Sequence, residues 1–137
     1  FYCYSNEIDK TEHFAIVKGD IKEDEDTLVR VQKINYISDL FNGQLPNNSV
    51  KAFSIKKAMD EININKKGIL VVINNNKPQF TLKEKEQNKG TEFREYGVGA
   101  QILRDLGVRK MLLLTNSKKE IIGLEGFDLK VVGKKNI

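Results

Sequence analysis

Short apolar runs separated by turn formers divide the chain into its elements. Phe14 to Val17 is apolar and stops at Gly19-Asp20, a turn pair, which predicts a strand. An acidic loop, Lys22 to Asp26, leads to Leu28-Val29-Arg30-Val31, whose β-branched residues predict a second strand. These neighbours in sequence are expected to pair antiparallel. Residues 35–49 hold Asn42-Gly43, Pro46 and Asn47-Asn48-Ser49 and predict an irregular loop. From Val50 to Ile64, apolar side chains at Val50, Phe53, Ile55, Ala58, Met59 and Ile62 keep helical spacing. Ser49 is placed to cap this helix and Gly68 to stop it.

The unbroken run Ile69 to Ile73 predicts a buried strand, ended by Asn74-Asn75-Asn76-Lys77-Pro78. Residues 79–91 are mostly Lys, Glu, Gln and Asn and read as a solvated connector; residues 74–91 are expected to be the most mobile internal segment. Val98, Ile102, Leu103 and Leu106 share one face of a helix predicted over Gly97 to Leu106, with Gly107 as its stop. Met111 to Leu114 predicts a strand, Lys119 to Leu124 a short helix closed by Gly126, and Leu129 to Val132 a last strand. The alternation strand, helix, strand, helix, strand predicts an α/β fold: a mixed sheet with flanking helices and some parallel pairs joined by right-handed crossovers.

With 137 residues and 15.7 kDa, residues 1–137 are expected to form one domain. No apolar run approaches the roughly 20 residues of a membrane span, and Phe1 to Tyr4 has no signal-peptide pattern. Cys3 is the only cysteine, which excludes an internal disulfide and leaves almost no route to a thiolate metal site; a reducing cytoplasm is the expected compartment. The charge sum is 23 − 19 = +4, carried mainly by Lys. Base-reading surfaces cluster Arg with aromatics. No such cluster occurs, so neither nucleic acid nor membrane is an expected partner.

Candidate chemistry is sparse. His13, the one histidine, lacks nearby nucleophile or metal partners and is expected on the surface or in packing. Gly97-Val98-Gly99 before a helix is a partial dinucleotide signal, or else a helix start packed close to a neighbour. Glu92-Phe93-Arg94, ahead of the same helix, sets a carboxylate near a phosphate-binding cation, or forms a surface ion pair. Thr115-Asn116-Ser117-Lys118 follows a strand end, where α/β sheets place ligands; a plain helix cap by Asn116 or Ser117 is the alternative.

The run from Arg94 through Tyr96-Gly97-Val98-Gly99-Ala100-Gln101-Ile102-Leu103 to Asp105-Leu106-Gly107-Val108-Arg109-Lys110 resembles the C-terminal half of GTP cyclohydrolase II. The likeness continues through Leu112-Leu113-Leu114-Thr115-Asn116, Gly123-Leu124-Glu125-Gly126-Phe127 and Val131-Val132. At the front it includes Glu12-His13-Phe14-Ala15-Ile16-Val17-Lys18-Gly19-Asp20-Ile21 and Leu28-Val29-Arg30-Val31. The spelling is nearest to the version fused behind 3,4-dihydroxy-2-butanone 4-phosphate synthase in bifunctional riboflavin enzymes. The resemblance implies a GTP cyclohydrolase II-like fold, a homodimer, and an upstream synthase domain that uses magnesium on ribulose 5-phosphate. It carries Arg30, Thr115 and Asn116 over as vestigial nucleotide-binding positions, and Glu92 and Arg94 as vestigial catalytic ones.

The departures from the family are specific. Its catalytic zinc is held by a cysteine, ten residues, then Cys-Asp-Cys; here Asp39-Leu40-Phe41 survives nearby, but Asn35, Pro46 and Asn48 stand at the cysteine positions. Amides and a proline do not replace thiolates on zinc. The Gln-Glu-Gly-Arg motif and tyrosine-bearing helix after the central strand are missing. The family's Asp-x-Arg is Glu92-x-Arg94, and a phosphate-facing lysine has become Glu120. The expectation is a catalytically degenerate domain without zinc or other cofactor, with a structural or assembly role and little or no GTP binding. Two alternatives stand beside it: a nucleotide-sensing regulatory module, and a live hydrolase that uses Arg94 and Glu92.

Overall fold

The computed structural model describes residues 1–34, 36, 39, 55–74, 89–116 and 124–136, with backbone alone for 89–93 and 125. The strands are β1 (Tyr2–Ser5), β2 (Glu12–Lys18), β3 (Asp26–Lys33), β4 (Gly68–Ile73), β5 (Lys110–Leu114) and β6 (Lys130–Lys135). Two helices, α1 (Ile55–Asn65) and α2 (Lys89–Asp105), and a 3-10 turn at Glu125–Phe127 complete the described elements. Asn35, Pro46, Asn48, Ser49, residues 75–88 and Glu120 lie outside the described residues, and with them the expectations made there.

All six strands form one mixed sheet in the order β1-β2-β4-β3-β5-β6. β2 pairs antiparallel with β1 and β4; β3 pairs parallel with β4 and β5, and β5 parallel with β6. The α/β class and the parallel pairs match the sequence reading. The expected β2–β3 hairpin is absent. β4 is buried at every position, so it takes the seat with a strand on each side, between β2 and β3. The link over residues 19–25 is also not the tight turn that holds a hairpin in register.

Two cores follow from the strand alternation. Ile69, Val71 and Ile73 of β4 join Val29 and Val31 of β3 and Ala100 and Leu103 of α2 on one face. Leu70 and Val72 join Leu28, Leu114 and the α1 residues Ala58 and Ile62 on the other. The sheet is thus sandwiched between helices. α1 is oriented by its flanks: Asn63 accepts a hydrogen bond from Lys18 of β2, and Glu61 pairs with Lys135 of β6 at 3.1 Å. A bulge makes the second contact possible. Met111 faces Val131 but Leu112 faces Gly133, so Val132 is the extra residue and Lys135 turns toward α1.

The helix ends correct two expectations. α2 begins at Lys89, so residues 89–91 are helical rather than part of a connector. It ends as predicted at Gly107, with φ +90°. Gly107 N–H donates to Arg104 O at 3.1 Å and Val108 N–H to Leu103 O at 3.0 Å, a Schellman closure with the buried pair Leu103 and Val108 behind it. α1 is stopped by Lys66 in the left-handed region, φ 63°, not by Gly68. Gly68 is the first residue of β4, where a Cβ would meet Leu28 O at 2.7 Å.

Candidate functional site

The parallel strands β3, β4, β5 and β6 finish at one edge of the sheet, where open α/β sheets gather ligands. Polar side chains converge there. Arg30 alternates with Leu28 and so projects on the α1 face of β3. Its Nη1 donates to Leu114 O at 3.0 Å, beside the buried Thr115, and its Nε to Gln32 Oε1 at 3.3 Å. Gln32 Nε2 donates in turn to Asp39 Oδ1 at 3.3 Å, and the same oxygen accepts the Ile55 N–H at 3.1 Å. One chain of hydrogen bonds therefore runs from the end of β5 across β3 to the start of α1, where Asp39 satisfies an orphan helix donor.

A second set ties the neighbouring face. Lys33, the last residue of β3, pairs with Glu95 of α2 at 2.7 Å. Tyr36 donates its hydroxyl proton to Asn74 Oδ1 at 3.1 Å, and Asn74 N–H donates to His13 Nδ1 at 3.1 Å. Burial lowers the His13 pKa below its ordinary value, and Asp9 and Glu95 oppose that only in part. His13 is 5% exposed and so serves in packing, with an unprotonated Nδ1 that accepts from the first residue past β4. Burial also pulls the Arg30 pKa down, against Tyr96 and Asp39, which push it up. A guanidinium has so high an ordinary pKa that Arg30 stays charged.

The expected residues are only partly gathered. Arg30 and Thr115 meet at the end of β5 through Leu114, and Asn116 lies exposed just beyond. Glu92 and Arg94 sit inside α2 rather than ahead of it, two positions apart and so about 200° around the axis. Arg94 is exposed. Among the described polar side chains of α2, Glu95 and Tyr96 interact with β3, at Lys33 and Arg30. Gly97 and Gly99 also lie within α2, not at its start, which removes the dinucleotide reading; a Cβ at Gly99 would stand 2.9 Å from Val31 Cγ1. The close-packing reading holds at Gly99. Gln32, Glu95, Tyr36 and Asn74 were not legible as site residues. The one available signal was the polar pair Arg30 and Gln32 on the strand positions that follow Leu28.

Such an edge can hold an anion against Arg30 or lock itself by internal hydrogen bonds. No group of three or more possible metal ligands occurs among the described residues. No described helix is long and apolar enough to cross a membrane.

Known proteins match this chain over nearly its whole length. The family model "GTP cyclohydrolase II" covers residues 1–136. The chloroplastic monofunctional riboflavin biosynthesis protein RIBA 2 of Arabidopsis thaliana is 36% identical over 97% of this chain and 30% of its own. The riboflavin biosynthesis protein RibBA of Bacillus cereus is 36% identical over 94% of this chain and 36% of its own. The crystal structure of RibBX, a two-domain 3,4-dihydroxy-2-butanone 4-phosphate synthase from A. baumannii, superposes with a TM-score of 0.61 at 33% identity; it covers 92% of this chain and 32% of that one. The chain thus spans about a third of the length of these relatives, and by fold and by sequence it belongs to the GTP cyclohydrolase II family.

Proposed function

We propose that this domain is a catalytically degenerate GTP cyclohydrolase II-like unit of a riboflavin-biosynthesis protein. It does not open the purine ring, and it serves as a structural and assembly partner to a 3,4-dihydroxy-2-butanone 4-phosphate synthase domain of the same protein. The magnesium-dependent chemistry then belongs to the synthase part. The RibBX relative, described as a two-domain synthase, supports this division of labour.

One observation carries the reading: the chain's single thiol stands in the wrong place for a zinc site. Cys3 pairs with Phe14, Phe14 with Val72, and Val72 with Gln32, so Cys3 lies level with Gln32 but three strand steps away. That is about 14 Å, far beyond a metal–sulfur bond. The one histidine is committed to Asn74. The donors present do not fit a catalytic zinc, and with it goes the activated water that the metal supplies. Arg30, Gln32 and Asp39 meanwhile satisfy one another, which suits a locked edge. Metal analysis after dialysis tests the reading: well under one zinc per chain is expected, and a stoichiometric zinc overturns it.

A nucleotide-sensing module is the second reading. Arg30, still charged beside Thr115 at the strand ends, favours it. Calorimetric titration separates the two. Saturable GTP binding that Arg30→Met abolishes, with the fold retained, establishes sensing; no heat of binding leaves the structural role.

A further inference from the structure

A single buried ring joins the ends of β4 and β3 to β2. The antiparallel register that pairs Phe14 with Val72 sets His13 beside Ile73 of β4, and Ile73 pairs with Lys33 of β3. His13 alternates with Phe14 and so shares with Ala15 the face that α2 covers; Lys33 shares that face with Val29 and Val31. Glu95 of α2 lies over this row: its carboxylate pairs with Lys33 at 2.7 Å and also acts on His13. His13 is buried and bound through its acceptor. Its Nδ1 takes the Asn74 N–H at 3.1 Å, and Asn74 Oδ1 takes the Tyr36 hydroxyl proton at 3.1 Å. The ring thus fastens the residue that follows β4 and, through it, Tyr36 beyond the end of β3. The described titratable groups around it are Tyr4 from β1, Asp9 from the turn between β1 and β2, Lys33 from β3, Tyr36 and Glu95. Tyr4 donates to Asp105, and burial with that bond pushes its phenol above the ordinary range, so it stays neutral. Asp9 and Glu95 favour an imidazolium, and burial opposes it more strongly.

We propose that His13 is a proton-operated latch for this edge of the sheet: the neutral ring holds Asn74 and Tyr36 in place, and the imidazolium releases Asn74 and draws Glu95 away from Lys33. A protonated ring carries N–H on both nitrogens. Nδ1–H then confronts the Asn74 N–H, donor against donor, in a buried place where an unmet donor is costly. The described carboxylates that can accept from the new cation are Asp9 and Glu95, and a charge-assisted bond is stronger than the neutral one it replaces. Glu95 is free to be shared, because its pair with Lys33 is partly solvated and such pairs are weak. The change stays local, since Phe14 to Lys18 of β2 keep their ladder with β4. The latch does not depend on whether the edge binds a nucleotide.

Nuclear magnetic resonance of the 137-residue chain, titrated from neutral pH downward, tests it. The His13 ring, the Asn74 amide and the Tyr36 ring are expected to shift together with one midpoint below the ordinary 6.5 of a histidine. Across that midpoint the Asn74 amide is expected to lose its protection from solvent exchange, while Val71, inside β4, keeps its own. His13→Gln, which still accepts from Asn74, is expected to abolish the Asn74 and Tyr36 responses. Glu95→Gln removes a group that favours the imidazolium and is expected to lower the His13 midpoint; it also keeps the latch testable if His13→Gln fails to fold. A His13 titration that leaves Asn74 protected and Tyr36 unmoved overturns the proposal. So do responses that persist in His13→Gln, loss of every folded signal at the same midpoint, or a midpoint that Glu95→Gln does not lower.

Discussion

At single residues, the packed interior makes two testable commitments. Thr27 is fully buried on β3, and its hydroxyl has no hydrogen-bond partner among the described residues. Thr27→Val keeps the shape and removes an unsatisfied polar group, so it is expected to raise stability by about 1 kcal/mol in urea unfolding. His13 gives a pH dependence. Its folded pKa lies below the ordinary 6.5 because burial disfavours the charged form. The unfolded chain therefore binds more protons between the two values, and stability falls as pH is lowered through that window. The contribution is complete above about pH 6.5. Protonation also turns Nδ1 from an acceptor into a donor facing the Asn74 N–H. Thermal scans are expected to show Tm dropping below that pH, and His13→Gln, which still offers an acceptor, to flatten the drop.

At the level of elements, the glycines of α2 separate packing from propensity. Gly97 has only Phe127 Cε2 near the place of a Cβ, at 4.0 Å, whereas Gly99 has Val31 Cγ1 at 2.9 Å. Gly97→Ala is expected to stabilise by about 0.5–1 kcal/mol through helix propensity. Gly99→Ala is expected to destabilise by about 1–3 kcal/mol through overpacking; equal effects of the two would contradict this packing. The sequence was legible where burial was complete. Ile69 to Ile73 reads as a central strand because both faces are apolar. It was illegible where periodicity was weak. Phe1 to Tyr4 gives no alternation because Tyr2, Cys3 and Ser5 of β1 are exposed and only Tyr4 packs against the core, and Lys89 to Phe93 begins α2 with Gly90 and Thr91, poor helix formers. Sequence neighbourhood mispaired β2 with β3, since nothing local reveals that β4, fifty residues on from β2, must lie between them. The site suffered most. Gln32, Glu95 and Asn74 act through partners distant in sequence, so only the three-dimensional edge brings them together.

For the whole molecule, the scaffold of the family persists, and the proposal is that its chemistry does not. The parallel strands still converge on one edge, and a charged Arg30 still sits there, bonded to Leu114 O. Gln32 and Asp39 bond in series with it on the α1 face, and Lys33 and Glu95 pair with each other on the opposite face. On the proposed reading, a chain with one cysteine has no thiolate set to place a zinc, and so lacks the metal-activated water for attack on a purine. The most direct measurement is formate and pyrophosphate release from GTP by the purified chain with zinc and magnesium supplied. No release above the protein-free control is expected. Zinc-dependent release that Arg94→Ala abolishes would contradict the account and identify a working cyclohydrolase.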